Sequence, residues 1–324
     1  MVKKFSFVSS NGINRINAVM WVPDGKITAV LQIAHGMAEH IERYEDFALY
    51  LAGKGILVVG NDHLGHGNTA DTKEELGYFA KNKNPDNKMS SGYIVVRDLL
   101  HVTKIAKRYA KNVPYFLLGH SMGSFLARRY LVQYGKELDG IIIMGTGNMP
   151  GPLVHMSRFV VRLTTLIKGD RYRSNLIYQI GFGAYNKRIK NPKSSHAWIS
   201  TDNNVVKKFE EDEKCGFIFT TNGFDMLLST ILYIEKQSNI RRIRKDIPVL
   251  LVSGLEDPVG NYGEDIKKLY CIYKKQKMKN VQMKLYKGMR HEILNEVEKE
   301  QVYEDIYSWI EKLKNTCTDI KYMI

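Results

Sequence analysis

The sequence predicts an α/β protein, with a mostly parallel sheet flanked by helices and a helical segment inserted into it. Short β-branched runs alternate with helical patterns over residues 29–145, and the same alternation resumes at residue 247. Between about residues 148 and 240 the pattern is helical, without a convincing buried strand. The 324 residues are sufficient for one large domain that carries such an insertion.

The N-terminal half alternates between predicted strands and helices. Residues 5–8 and 16–22 are expected to pair as a hairpin, because the Asn11-Gly12 dipeptide between them favours a tight turn. Apolar runs then predict buried strands, and amphipathic patterns between them predict helices. We expect the strands at residues 29–34, 56–60, 115–118 and 140–145, and the helices at residues 44–54, 93–109 and 125–131.

The C-terminal part returns to this alternation after the insertion. Strands are expected at residues 247–253 and 281–286, and helices near residues 263–275 and 299–314. The sequence is therefore interpreted as a core, residues 1–147 and 241–324, interrupted by a helical cap, residues 148–240.

The composition is that of an ordinary globular protein, with 44% hydrophobic and 25% charged residues. No apolar stretch approaches the roughly 20 residues that a membrane span needs. The N-terminal residues contain two lysines but no continuous apolar run, so a signal peptide is not expected. The three cysteines, Cys215, Cys271 and Cys317, have no metal-ligand spacing, which favours a reducing cytoplasmic compartment.

The formal net charge of +14 has two interpretations. A Lys-rich sequence simply produces solvated basic faces. Alternatively, the charge attracts the protein to anionic membrane surfaces as a peripheral partner. Nucleic acid is not an expected partner, because the basic runs lack a surrounding recognition motif. The sequence does not predict an oligomeric state.

The most informative motif is Gly119-His120-Ser121-Met122-Gly123, a G-x-S-x-G pattern between a predicted strand and a predicted helix. In this context the serine lies on a sharp turn that projects its hydroxyl clear of the sheet. We expect a positive φ angle at Ser121. Glycines flank the turn because a side chain there would collide with the neighbouring strand or helix. Ser121 is therefore the predicted nucleophile.

A serine nucleophile needs a base, and the base must be oriented by a third group. In proteins whose serine lies on this kind of strand-to-helix turn, the three residues occur along the chain in the order serine, acid, histidine. Of the histidines after Ser121, His155 and His196 lie inside the insertion. His291 follows a strand and a turn, so it is the predicted base.

Two acidic residues, Glu256 and Asp257, follow the strand at residues 247–253. Asp257 is the better candidate for the orienting acid, because its side chain is short and it directly precedes the turn-forming Pro258. The oxyanion formed in the reaction also needs two backbone N–H donors. Met122, directly after the nucleophile, is expected to supply one, and Met37, in the loop after the strand at residues 29–34, the other.

Four motifs follow one another along the chain: His35-Gly36-Met37-Ala38-Glu39-His40 with Arg43-Tyr44, Asp62-His63-Leu64-Gly65-His66-Gly67, Gly119-His120-Ser121-Met122-Gly123, and the run from Gly288 to Glu296. Together they resemble the monoacylglycerol lipase and lysophospholipase family of α/β-hydrolases, also grouped as serine aminopeptidases. The resemblance covers about residues 5–313. It implies the α/β-hydrolase fold, a Ser121/Asp257/His291 triad, an oxyanion hole at Met37 and Met122, and an inserted cap. Among the departures from the family pattern, Ser124 replaces a usual glycine after the nucleophile.

Neither a cofactor nor a metal is expected. Asp62, His63 and His66 could suggest a metal site, but their Gly-rich turn favours a hydrogen-bonded structural loop. Glu39 and His40 are interpreted as braces of the loop that carries Met37.

The insertion is unusually rich in large apolar residues. Core packing explains any one of them, but together they suggest an acyl-chain tunnel. The substrate-binding candidates are Phe159, Leu163, Phe182, Phe224 and Leu227.

The predicted activity is hydrolysis of single-chain lipid esters, with monoacylglycerol favoured and lysophospholipid second. A short-chain carboxylesterase is an alternative, as is an aminopeptidase that uses the acidic run at residues 210–213 to bind the substrate's amine. A ligand-binding protein without turnover is a further alternative.

Overall fold

An eight-stranded sheet forms the centre of the structure, a computed structural model that describes residues 1–79 and 89–321, with side chains up to residue 314. The strands lie in the order β1-β2-β4-β3-β5-β6-β7-β8. Strand β2 pairs antiparallel with β1 and β4, and all pairs from β4 to β8 are parallel. The strands are β1 (Val2–Val8), β2 (Arg15–Trp21), β3 (Ala29–Ala34), β4 (Ile56–Asn61), β5 (Tyr115–His120), β6 (Gly140–Met144), β7 (Val249–Gly254) and β8 (Val281–Tyr286).

Ten α-helices surround this sheet in the described part of the chain. They are α1 (Glu45–Gly53), α2 (Ser91–Tyr109), α3 (Met122–Tyr134), α4 (Gly151–Lys168), α5 (Asn175–Phe182), α6 (Asn203–Glu211), α7 (Thr221–Glu235), α8 (Gln237–Ile240), α9 (Glu264–Lys275) and α10 (Lys299–Lys321). Among these helices, none combines the length and apolar character that crossing a bilayer requires. The predicted α/β class and the predicted strands and helices are confirmed, although the last helix extends beyond residue 314.

Two apolar clusters cover the two faces of the sheet. Helices α1 and α10 contribute Phe47, Ile306 and Trp309 to one cluster, while α2, α3 and α9 contribute to the other. Strands β3, β4, β5 and β7 are buried along their whole length, because helices cover both of their faces. This explains why each appears in the sequence as a continuous apolar run.

Helices α4 to α8 form the insertion between β6 and β7. Helix α7 packs against α2 and α3 as well as against α4, and it buries Phe224, Leu228 and Ile231 in the main apolar cluster. Helices α4 and α5 are more exposed: α5 has no buried residue, and α4 buries only Val154 and Val161. The insertion therefore has a part integrated with the core and an exposed part.

Candidate active site

Ser121 lies between β5 and α3 with φ 53° and ψ −120°, the positive-φ turn that the motif predicts. Such a conformation is costly for a residue with a Cβ atom, so the surrounding backbone must hold it. A Cβ atom on Gly119 would lie 2.6 Å from the Ala127 Cβ, and one on Gly123 would overlap the Ala34 carbonyl. The close approach of strand and helix thus requires glycine at both positions, and Ser121 itself faces a cavity.

His291 and Asp257, the predicted base and acid, lie beside each other. Both carboxylate oxygens of Asp257 are 3.0 Å from His291 Nδ1, and both side chains are buried. Because a carboxylate accepts hydrogen bonds, Nδ1 carries the proton and Nε2 of the neutral ring retains a free lone pair. His291 lines the same cavity as Ser121, whereas Glu256 is exposed.

Further contacts hold Asp257 in its ionised form. The Val259 N–H donates to Oδ1 at 2.9 Å, and the Ser253 hydroxyl donates to Oδ2 at 3.1 Å. Burial raises the pKa of Asp257, but the interactions with His291 and these two donors outweigh it, so the pKa lies below its ordinary value. Asp257 is therefore an anion that can stabilise a positive charge on His291.

The two predicted oxyanion donors, Met37 and Met122, both line this cavity. Met122 is the first residue of α3, where a backbone N–H has no partner within the helix. Met37 lies in the loop after β3, next to Ala38, which has a φ of 53°. A Cβ atom on Gly36 would lie 3.2 Å from the Ser121 Cβ, so this loop passes directly beside the predicted nucleophile.

A buried cluster of charges connects the Met37 loop to the His291 loop. The Arg43 guanidinium donates to Glu39 Oε2 at 2.7 Å and to both carboxylate oxygens of Glu292 at 2.7 Å each. Glu39 in turn accepts from the Gly36 N–H, which fixes the start of the Met37 loop. Burial raises the pKa of Glu39, but His120 and Arg43 outweigh it and hold the pKa well below its ordinary value.

His120 joins this cluster to the turn that carries Ser121. The Tyr44 hydroxyl donates to Glu39 Oε1 at 2.8 Å and therefore accepts from His120 Nδ1, also at 2.8 Å. The other ring nitrogen, Nε2, faces the His291 carbonyl oxygen at 3.3 Å. Burial lowers the pKa of His120, yet its interactions with Glu39 outweigh burial and raise that pKa, which favours the imidazolium form that donates from both ring nitrogens.

Three further histidines, His35, His63 and His66, pack behind the Met37 loop. The His35 and His63 rings lie 4.1 Å apart, and His66 Nε2 accepts from the Ala38 N–H at 3.3 Å. Burial lowers the pKa of His63 to about 3 and that of His66 to about 4, and it also lowers the pKa of His35. Neutral rings fit the interpretation of the Asp62–Gly67 segment as a structural loop.

Backbone carbonyls of the insertion accept hydrogen bonds from the segment around His291. The Glu292 N–H donates to the Ile199 carbonyl at 2.7 Å, and Arg290 Nη1 donates to the Ala197 and Ser200 carbonyls at 2.7 and 2.8 Å. The Trp198 ring lies 5.1 Å from the ring of His291. Residues 197–200 are therefore attached directly to the segment that carries the predicted base.

The cavity beside Ser121 has a volume of about 580 Å³. Most of its wall is apolar and comes from α4, α5 and α7, while Glu39, His196 and Glu292 are polar parts of the wall. Three of the substrate-binding candidates, Phe182, Phe224 and Leu227, line it.

The other two substrate-binding candidates, Phe159 and Leu163, do not line this cavity. Their side chains are 63% and 47% exposed, because α4 turns Leu153, Met156 and Val160 toward the cavity instead. Helical periodicity alone did not reveal which face of α4 points inward.

The acidic run at residues 210–213 forms ion pairs with neighbouring segments, and one of its partners, His196, also lines the cavity. Glu210 contacts His196, Glu211 contacts Lys207, Asp212 contacts His40, and Glu213 contacts Lys73. Among the described residues that line the cavity, none belongs to this run. The run therefore does not form a pocket for a substrate's amine next to Ser121.

The sequence analysis did not assign roles to Arg43, His120 and Glu292. All three belong to the quoted motifs, and this membership was the available signal. Their pairing was not visible, because Arg43 and Glu292 lie 249 positions apart in the sequence.

The sheet topology and the turn at Ser121 define a hydrolase of the α/β-hydrolase fold. Among solved structures, a thermostable carboxyl esterase from Bacillus coagulans in complex with glycerol is similar, with 28% identity, a TM-score of 0.87, and coverage of 97% of this chain and 99% of the esterase. A monoglyceride lipase from Saccharomyces cerevisiae shares the fold, with 19% identity, a TM-score of 0.73 and coverage of 96% and 94%.

The chain belongs to the serine aminopeptidase S33 family, whose model matches residues 25–298. Its relatives include a monoglyceride lipase homolog from Monkeypox virus, 26% identical over 90% of this chain and 92% of the relative. A monoacylglycerol lipase from Mycolicibacterium smegmatis is 24% identical over 94% and 95% of the two chains.

Proposed function

We propose that this protein hydrolyses esters of single-chain lipids, monoacylglycerols foremost, through an acyl-enzyme on Ser121. One observation carries the proposal: Ser121 lies on a strained turn at the wall of a largely apolar cavity that also contains His291, paired with Asp257. The names of the relatives support the substrate class.

In the proposed mechanism, His291 Nε2 takes the Ser121 proton as the hydroxyl attacks the ester carbonyl carbon. The N–H groups of Met37 and Met122 stabilise the oxyanion, and Asp257 stabilises the imidazolium. The tetrahedral intermediate collapses as His291 gives its proton to the leaving glycerol oxygen. Water, deprotonated by His291, then attacks the acyl-enzyme, and the fatty acid leaves as the proton returns to Ser121.

The shape of the cavity supports a single acyl chain with a small polar head. Its volume lies within the range of about 300–1,000 Å³ typical of small-molecule sites. The apolar residues of α4, α5 and α7 suit the acyl chain of the substrate, and the polar groups of the cavity wall suit the hydroxyls of its head group. Glu39 and Glu292 already bind Arg43, so they are poorly suited to bind an amine, which favours an ester over a peptide substrate.

The insertion, residues 148–240, is proposed to act as a cap over this cavity, with residues 1–147 and 241–324 as the hydrolase core. Leu153, Met156 and Ile180 line the cavity and are also exposed, so α4 and α5 form its mouth.

The exposed part of this cap is proposed to contact anionic membranes peripherally. Exposed apolar side chains on α4 continue to Leu166 and Ile167, and exposed cations such as Lys168 and Arg171 follow directly. An apolar patch next to basic residues fits a surface of anionic lipid.

A panel of substrates tests the proposal. Monoacylglycerols of increasing chain length, lysophospholipids, short-chain esters, amino-acid amides and a triacylglycerol are compared with wild type and Ser121→Ala. We expect kcat/KM for monoacylglycerols to rise with chain length until the cavity is full, with triacylglycerol rejected. The Ser121→Ala variant should lose about 10⁴-fold or more in kcat and should not be labelled by a fluorophosphonate.

Three results would contradict parts of this proposal. Labelling of Ser121→Ala would exclude Ser121 as the nucleophile. Efficient triacylglycerol cleavage, together with a kcat/KM that does not change with acyl-chain length, would exclude a cavity covered by the cap. Activity on anionic vesicles that does not fall with added salt would remove the electrostatic membrane contact.

A further inference from the structure

Three side chains with metal-binding atoms meet between the Met37 loop and the insertion. His40 comes from the loop after β3, and Asp212 and Cys215 come from the segment after α6. One ligand atom from each lies within 4.8 Å of the other two, and His40 Nε2 is 2.8 Å from Asp212 Oδ2. The sequence analysis found no metal-ligand spacing around the cysteines, because the third residue is 172 positions away from Asp212.

We propose that His40 Nε2, Asp212 Oδ2 and Cys215 Sγ form a binding site for a thiophilic divalent cation, with Zn²⁺ as the favoured ion. Imidazole, carboxylate and thiolate are the three ligand types that Zn²⁺ takes from proteins. Ca²⁺ and Mg²⁺ are disfavoured because they require oxygen ligands. Three protein ligands leave a fourth, tetrahedral position for water.

The distances require a modest adjustment. Bonds of about 2.0–2.3 Å place tetrahedral ligand atoms about 3.3–3.6 Å apart. The widest separation, 4.8 Å at most, must therefore shorten by about 1 Å. His40 and Asp212 must move slightly apart. The Asp212 side chain is about one-third exposed, which gives an ion a route to the site and this side chain room to move, whereas His40 is largely buried.

The surroundings suit a cation of charge two. With the thiolate and Asp212 as anions and His40 neutral, the bound ion is balanced. The Lys214 N–H donates to Asp212 Oδ1 at 2.8 Å, which leaves Oδ2 directed at His40. Arg43, whose charge acts on Cys215, is already balanced by Glu39 and Glu292. The Lys214 side chain is bound to Asn68.

Binding must release a proton to solvent. Burial raises the pKa of the Cys215 thiol above its ordinary value, so the thiol is protonated at pH 7.5, and the metal–sulfur bond forms as its proton leaves. Any proton on His40 Nε2 must also leave that nitrogen, and it does so in wild type and in a variant without the thiol alike. Wild type should therefore release about one proton more per Zn²⁺ than a variant without the thiol.

The site would connect two parts of the molecule that already meet here. The Gly216 N–H donates to the Ala38 carbonyl at 2.9 Å, so the segment after α6 lies against the Met37 loop. A cation held by His40 on one side and by Asp212 and Cys215 on the other would fasten the insertion to this loop.

Calorimetric titration of the full-length protein with Zn²⁺, in buffers of different ionisation enthalpy, measures both affinity and proton release. Cys215→Ser and Asp212→Asn should each weaken binding by about 10-fold or more. Cys271→Ser, which changes an exposed cysteine on α9, is the matched control and should bind as wild type does. Co²⁺ in place of Zn²⁺ should give a thiolate-to-cobalt charge-transfer band in wild type and Cys271→Ser but not in Cys215→Ser.

The proposal fails if wild type binds no Zn²⁺, or if Cys215→Ser retains the affinity, the proton release and the cobalt band. Circular dichroism shows whether each variant is folded, and Asp212→Asn provides an independent test if Cys215→Ser is not. None of these measurements depends on hydrolysis, so the outcome is separate from that of the proposed function.

Discussion

Replacing Arg43 by methionine should strongly destabilise the fold. Methionine retains much of the side-chain volume but removes the charge and every donor. Glu39 and Glu292 then remain buried, about 4% and 5% exposed, without the cation that they share. Three charge-assisted hydrogen bonds of 2.7 Å are lost.

The free energy of unfolding should fall by about 3–5 kcal/mol, which is the cost of removing one partner from a buried ion pair. The cost should depend on pH. Without Arg43 the pKa of Glu39 rises, because His120 alone then opposes the effect of burial, so protonation of Glu39 stabilises the variant as the pH falls. The deficit relative to wild type should therefore be smaller at pH 5 than at pH 8.

Urea unfolding followed by circular dichroism at both pH values measures this deficit. Arg43→Lys, which keeps a charge but not the bidentate geometry, should lie between wild type and Arg43→Met. The double variant Arg43→Met/Glu292→Gln should recover part of the loss, because one unpaired charge disappears. A deficit below about 1 kcal/mol, or an equal deficit at the two pH values, would refute the reasoning.

Three further predictions concern the active site and its supporting loop. Asp257→Asn should lower kcat by about 10⁴-fold through the wrong tautomer of His291, while Glu256→Gln should be nearly neutral; steady-state kinetics would expose a reversed order. Met37→Leu should keep most activity and Met37→Pro should lose about 10²-fold or more, with folding checked by circular dichroism; equal large losses would implicate the side chain. Below about pH 6.5, histidines in the unfolded chain bind protons, whereas buried His63 and His66 bind them only near pH 3 and pH 4. The free energy of unfolding should therefore fall by about 1.4 kcal/mol per pH unit for each of the two histidines as the pH is lowered. Urea unfolding that gives the same free energy at every pH between 4 and 6 would contradict this.

The order of strands and helices could be predicted because each signal is local. Buried parallel strands are continuous apolar runs, and the turn at Ser121 has a short signature in a strand-to-helix context. Asp257 and His291 could be predicted from their places after β7 and β8, since both strands end at the same edge of the sheet as β5.

Side-chain pairing across distant segments could not be predicted. The Arg43–Glu292 contact depends on how two loops meet after folding, as does the cluster of His40, Asp212 and Cys215. The inward face of α4 was also hidden. Its apolar residues extend around much of the helix, so Phe159 resembled a cavity residue although it is exposed.

The attachment of residues 197–200 to the His291 loop limits how freely the insertion can be exchanged between relatives. A transplanted segment that lacks these backbone contacts would leave Arg290 and Glu292 without the carbonyl groups they bind. Substitutions that change substrate preference should therefore disturb the fold least in α4 and α5, which are exposed and contribute directly to the cavity mouth. Chimeric proteins should retain activity when only residues 151–182 are swapped, and lose it when the exchange extends through residue 200.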